Sequence, residues 1–221
     1  DFKSNLIENG IKIGQIFDGV SQKINTPSID LYYERGLKNQ QKVYANIVGS
    51  YAKVETGRNY IEYDNANTLF KEQFGLSSDK YSLIAEGIYE KGFTYGSLKF
   101  GAKHIQSFTK QEVQQNGVFK SDLNQMETSV FSEWNHSKDK FSCSLGLKAN
   151  RVHFSNISIN KSYYNFLPKA MLGYRLNENS FIRYDVEMSQ TNPTLVELTD
   201  TEIRLDPYLA ERGNLLLKPY S

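Results

Sequence analysis

The chain has 221 residues with 26 basic and 25 acidic side chains interspersed, a net charge of +1, which excludes the broad basic face that nucleic-acid binding requires. Mean hydropathy is -0.55 and hydrophobic residues make up 39%, so no segment reaches the run of about 18 apolar residues that a membrane-crossing helix needs. Aromatics at 13% and only five prolines suit long strands, and the single Cys143 excludes an intrachain disulfide framework.

Taken in order, Asn9 to Val20 reads as a first strand and Ile29 to Gly36 as a second, joined by a turn through Asn25, Thr26 and Pro27. A turn at Gly36 to Asn39 leads into Val43 to Val54, where Val43, Ala45, Ile47, Gly49 and Tyr51 alternate with Tyr44, Asn46, Val48 and Ser50. Thr56 to Lys80 is polar and interrupted and reads as a long link, although Tyr60 to Tyr63 could prolong a strand beyond a membrane. Tyr81 to Glu90 turns at Lys91 and Gly92 into Phe93 to Phe108. The polar connection Lys110 to Ser121 precedes Met126 to Trp134 and a short turn at Ser137 to Asp139.

From Phe141 to Asn150 the alternation is strict. Phe141, Cys143, Leu145, Leu147 and Ala149 fall on one side, and Ser142, Ser144, Gly146, Lys148 and Asn150 on the other. After a link at Asn156 to Ser162, a hairpin centred on Glu178 pairs Tyr174 with Ile182, Leu172 with Tyr184 and Ala170 with Val186, so the apolar faces coincide. On the other face Gly173 meets Arg183, and Lys169 meets Glu187 as an opposite-charge pair. The long segment Thr191 to Asn214 precedes a last apolar start at Leu215 to Leu217. The expected fold is all-β: an antiparallel up-and-down meander of about ten strands. Two solvents satisfy such a two-faced sheet. Its apolar side can pack on a second sheet in a soluble sandwich, or face lipid as part of a transmembrane β-barrel. Short turns near Lys38, Gly92, Lys138 and Glu178 alternate with longer links, the sorting expected of periplasmic and extracellular ends, and favour the barrel.

Sites of reaction chemistry are not apparent. His104, His136 and His153 have no second ligand at a metal spacing, Ser142 and Ser144 lack a nucleophile elbow, and no phosphate-binding glycine motif occurs. No enzyme, metal or cofactor is expected. Cys143 sits on the apolar face as a small hydrophobe, and Tyr163, Tyr164 and Phe166 read as an interfacial aromatic girdle. Asn135, Asn156 and Asn160 head N-x-S sequons that carry no glycosylation implication in a bacterial chain. The binding candidates lie in the long segment: Glu197, Asp200, Glu202, Arg204, Asp206 and Glu211. Its apolar members Leu195, Val196, Leu198, Ile203, Leu205 and Leu209 are too numerous for a freely solvated tail, so it is expected to fold back onto the barrel mouth or a partner.

From about Ile29 to Ser221 the chain resembles the β-barrel part of Bacteroidetes-type TonB-dependent outer-membrane receptors. The resemblance rests on IDLYYERGLKN, IYEKGFTYGSLKFGAKH, FSCSLGLKAN and FLPKAMLGYRLNENSFIRYDVEMSQTNPTLVELT, and most specifically on Asn192, Pro193, Leu195 and Leu198 with Asp206, Gly213, Asn214, Leu217, Lys218 and Pro219. Leu215 stands where the family commonly has proline. The resemblance implies a bacterial outer-membrane location and residues 1–221 as a single barrel segment of a larger receptor, without its plug domain and closing strands. The opening DFKSNLIENG, without initiator Met or signal peptide, agrees with a mature or excised piece. The implied function is the wall of a nutrient importer for a glycan, siderophore or peptide. The implied partners are outer-membrane lipid, the TonB complex through the plug domain, and a surface lipoprotein. The other reading is a self-contained soluble β-sheet module for ligand binding or adhesion.

Overall fold

The computed structural model describes residues 2–8, 11–64, 67–115, 117–195, 197–198, 202–204 and 209–220. Strands β1 (Phe2–Glu8), β2 (Ile11–Asn25), β3 (Ser28–Leu37), β4 (Gln41–Asp64), β5 (Asn67–Phe93), β6 (Gly96–Gln114), β7 (Val118–Lys138), β8 (Phe141–Ser155), β9 (Asn160–Asn177) and β10 (Ser180–Glu187) form one antiparallel sheet. A two-stranded hairpin, β11 (Glu202–Arg204) with β12 (Ala210–Arg212), follows. Apart from β2 and β3, which both pair with β4, neighbours in sequence pair in space, as in a meander. The expected hairpin register holds from Phe181 to Glu187: Tyr174 faces Ile182, Leu172 faces Tyr184 and Ala170 faces Val186.

The first expected strand is divided. Glu8 pairs with Ile11, so β1 and β2 are two arms of a hairpin rather than one run from Asn9. Conversely, Thr26 and Pro27 are not a turn. Asn25 pairs with Lys53 and Ser28 with Ser50, so β2 and β3 run on in one unshifted register along β4. Proline has no N–H to give the ladder, which splits the strand at that point without turning it. The Pro27 carbonyl still accepts the Tyr51 N–H at 3.0 Å.

The long links expected at Thr56 to Lys80 and Lys110 to Ser121 are mostly strand. Residues Lys53 to Asp64 of β4 pair with Asn67 to Asp79 of β5, and β6 and β7 close on each other at Gln114 and Val118. At the opposite end the connections are short, at 38–40, 94–95, 139–140 and 178–179. Asn39, Gln40 and Asp139 there have φ of 59°, 58° and 52°, the left-handed region that Asn and Asp tolerate best among non-glycine residues. The two ends therefore differ chiefly in how far the strands run past the apolar band. Leu215 and Leu216, the expected start of a last strand, lie in a turn.

The outer face carries a continuous apolar band. It includes Val43, Ala45, Ile47, Gly49 and Tyr51 on β4, and Tyr81, Leu83, Ala85, Gly87 and Tyr89 on β5. It continues through Phe141 to Ala149 on β8 and Phe166 to Tyr174 on β9. Each span is close to the roughly 9 to 11 residues a tilted transmembrane strand needs. Relative to the hydrogen-bonded rows the band descends from β4 to β9, as inclined strands require. Leu145, Leu172, Ile182 and Tyr184 are 47%, 44%, 57% and 64% exposed, and among the described residues no second layer of protein covers them.

Candidate functional site

The inner face is built from the alternate residues and is polar. One row runs Lys42, Glu90, Lys99 and Glu133 across β4 to β7, each directly opposite the next, and resumes beyond Gly146 with Lys169 and Glu187. Alternating signs on adjacent strands neutralise one another, so a wetted wall carries many charges with little net field. The register places Lys169 opposite Glu187 as expected, but the ion pair it forms is with Glu133, two strands away. Gly146 makes this possible. A Cβ there would stand 2.5 Å from Lys169 Cε and 2.6 Å from its Cγ, so only a residue without a side chain lets the lysine stem cross β8.

Above this row, Glu127 gathers a polar hub. It accepts from Lys148 Nζ at 3.2 Å, Asn150 Nδ2 at 3.2 Å and Asn192 Nδ2 at 3.3 Å, and Asn150 Nδ2 also reaches Gln190 Oε1 at 3.0 Å. The chain leaving β10 is thereby drawn onto the inner face. A cleft of about 440 Å³ lies there, lined among others by Glu86, Lys103, Glu127, Lys148, Lys169 and Glu187. A larger cleft of about 1030 Å³ lies at the upper end of β2, β4 and β5, with Arg58, Glu72, Phe74 and Gln115 in its walls. Arg58 forks onto Asp18 there through two bonds of 2.9 and 2.8 Å, and this holds the Asp18 carboxyl below its ordinary range.

Past Asn150 the inner face turns apolar. Val152 and Phe154 join Leu123, Ile159, Leu195 and Leu198 in a buried cluster, with Tyr163 and Leu215 against it. The segment after β10 thus folds back onto the inner side of the barrel wall, and Thr191 and Tyr220 close its base through paired backbone bonds of 2.8 and 3.1 Å. This also corrects the aromatic girdle. Tyr164 and Phe166 are exposed on the outer face, whereas Tyr163 faces inward, with its ring 6.2 Å from that of Phe154.

Of the binding candidates in the segment, Glu197 is committed locally. Its Oε2 accepts the Thr194 N–H at 2.7 Å and the Thr194 hydroxyl at 2.8 Å, while the Thr194 carbonyl takes the Leu198 N–H at 3.1 Å. This is the reciprocal cap of a single helical turn, in which Thr-x-x-Glu satisfies the first backbone donors. The backbone bond, and then the hydroxyl bond, hold the Glu197 carboxyl below its ordinary value. Glu202 and Arg204 lie on β11 and Glu211 on β12, with Glu202 opposite Arg212. The buried side-chain amide of Gln115 clasps the Arg204 backbone, donating to its carbonyl at 2.5 Å and accepting its N–H at 2.9 Å. Asp200 and Asp206 lie outside the described residues.

An outward apolar band, a charge-paired inner wall and strands prolonged at one end are the features of a large membrane barrel's wall. The model of the TonB dependent receptor-like β-barrel matches residues 12–221. The chain belongs to this family. No curated protein matches it. TonB-dependent receptors are transporters of the bacterial outer membrane, and transport rather than catalysis is the family's work. Among the described residues no group of three or more His, Cys, Asp or Glu could hold a metal ion. The inner hub of Glu127, Lys148, Asn150, Gln190 and Asn192 escaped the sequence reading. Its only signal was the inward parity of Glu127, Lys148 and Asn150 on paired strands.

Proposed function

We propose that this chain is a wall segment of a Bacteroidetes-type TonB-dependent receptor that imports a glycan, siderophore or peptide across the outer membrane. In this reading the plug domain, the closing strands and the contact with the TonB complex belong to other parts of the same receptor. The observation that carries the reading is the division of one sheet into an uncovered apolar outer face and a charge-paired inner face. A soluble binding module would need protein over Leu145, Leu172, Ile182 and Tyr184, whereas a barrel needs only lipid.

Substrate capture, or docking of a surface lipoprotein, falls to the segment from Thr191 to Asn214. Two features support this: its fold-back through Leu195 and Leu198, and the exposure of Glu202, Arg204 and Glu211 on the β11–β12 hairpin. The test is deletion of residues 199–211 in the complete receptor, with barrel assembly, lipoprotein association and uptake measured side by side. Intact assembly with reduced uptake or association is expected. Unchanged uptake and association in an assembled deletion receptor would overturn the assignment.

A further inference from the structure

Just above the apolar band, the outer face of β6 to β9 carries the cation Arg151 with two histidines close by, His104 and His153. The last apolar row is Ala102, Val130, Ala149 and Phe166, each paired with the next. The row above it is His104, Thr128, Arg151 and Tyr164, and the next is Gln106, Met126, His153 and Ser162. His104 Nδ1 lies 2.8 Å from the Thr128 hydroxyl, Arg151 Nη2 donates to Ser162 Oγ at 3.2 Å, and His153 Nδ1 lies 3.0 Å from the same oxygen. These bonds occupy one nitrogen of each side chain. They leave both imidazole Nε2 atoms and most of the guanidinium donors to the outside. Following the outer-face positions upward on these strands, the first carboxylates are Glu112 and Asp122, beyond both rows. The patch therefore has no acidic counter-charge at its own level.

We infer that Arg151 and His153, flanked by His104, form a site for the phosphate-bearing headgroup of an outer-leaflet lipid. The inference rests on the outer face being lipid-facing, as proposed above. A guanidinium gives a phosphate two parallel donors, and the neighbouring imidazoles add single ones. Phe166 and Tyr164, 62% and 75% exposed, lie immediately below and beside Arg151, where the acyl chains of that lipid would begin. Charge complementarity and continuity with the apolar band select a membrane lipid as the occupant, since a soluble phosphate would gain nothing from the aromatic flank.

The test uses the complete receptor reconstituted in nanodiscs of zwitterionic lipid doped with lipid A or with dephosphorylated lipid A. Lipid retained after delipidating washes is counted by native mass spectrometry. The wild type is expected to retain the phosphorylated form about tenfold better than the dephosphorylated one, and the triple variant Arg151→Ala, His104→Ala, His153→Ala to lose that preference. Arg151→Lys should keep part of it. Inorganic phosphate at millimolar concentration should not displace the retained lipid. Equal retention of the two lipids by the wild type, an undiminished preference in the triple variant, or full displacement by inorganic phosphate would each overturn the site. Failure of the wild-type receptor to insert would instead refute the lipid-facing reading on which it rests.

Discussion

Leu145 offers the sharpest measurement of whether the outer face meets hydrocarbon. It lies midway along the outward run Phe141, Cys143, Leu145, Leu147 and Ala149, between Trp134 on one neighbouring strand and Ala170 on the other. It is 47% exposed, so an arginine there would displace little protein, and any cost is charged against the solvent. In lipid, Arg near the bilayer midplane costs about 2 to 4 kcal/mol, or roughly thirty- to seven-hundred-fold in the folding equilibrium. Phe141 is the internal control. It lies on the same strand and face, about 13 Å away along the strand at the band's lower rim, where the same substitution costs about 0 to 1 kcal/mol. Denaturant titration of the receptor in lipid vesicles, followed by heat-modified gel mobility, compares Leu145→Arg with Phe141→Arg. A clear excess for Leu145→Arg is expected. Equal costs would refute the depth argument, and no cost at either position would remove lipid from that face altogether.

Two further outcomes follow from local geometry. Gly146→Ala should force Lys169 off its path to Glu133 and change the stability of the assembled barrel by no more than about 1 kcal/mol, because the obstructing atoms belong to a flexible side chain and the ion pair is part-exposed; a denaturant midpoint lowered far beyond this would show that the backbone moves instead. The Glu197 carboxyl is held below its ordinary value, so its contribution to the 194–198 turn is complete above the ordinary carboxylate range and disappears as pH falls through the lowered folded value. Hydrogen exchange at the Leu198 amide should therefore lose protection at acid pH in the wild type but show no such acid-linked loss in Glu197→Gln, whose amide can still cap, and identical pH profiles would refute the link.

Inside the apolar band the pairing was legible, although the turn expected at Lys91 and Gly92 falls at 94–95 because both residues still pair with β6. One face meets a solvent that tolerates only apolar groups, so the pairing of Tyr174 with Ile182 and Leu172 with Tyr184 could be read from alternation alone. Above the band that constraint ends. Along Thr56 to Asp64 and Asn67 to Lys80 the alternation dissolves into mixed polarity, so strands held by backbone ladders and by side-chain pairs such as Arg58 with Asp18 resembled loops. Pro27 signalled a turn because a missing N–H does break the ladder, but the flanking residues resume in register on β4. The partner of Lys169 depended on the empty space over Gly146, which no pairwise cross-strand rule contains. The inward cluster of Val152 and Phe154 was hidden because the polarity of the two faces changes at Asn150, where the returning segment supplies Leu195 and Leu198. The Thr194 to Glu197 cap was written in the sequence as Thr-x-x-Glu, yet it lay in a loop where acids suggest ligands before they suggest helix ends.

The long β4–β5 hairpin behaves mechanically as a mast. From Lys53 to Asp64 the strand β4 is paired with β5, and over most of that length with β2 as well, so it cannot bend by breaking local contacts one at a time. With strands inclined by about 40°, this length lifts Asp64 about 28 Å above the lipid surface. Whatever first strikes the tip acts on a lever whose fulcrum is the rim of the membrane, and a slight lean there becomes a large sweep across the entrance.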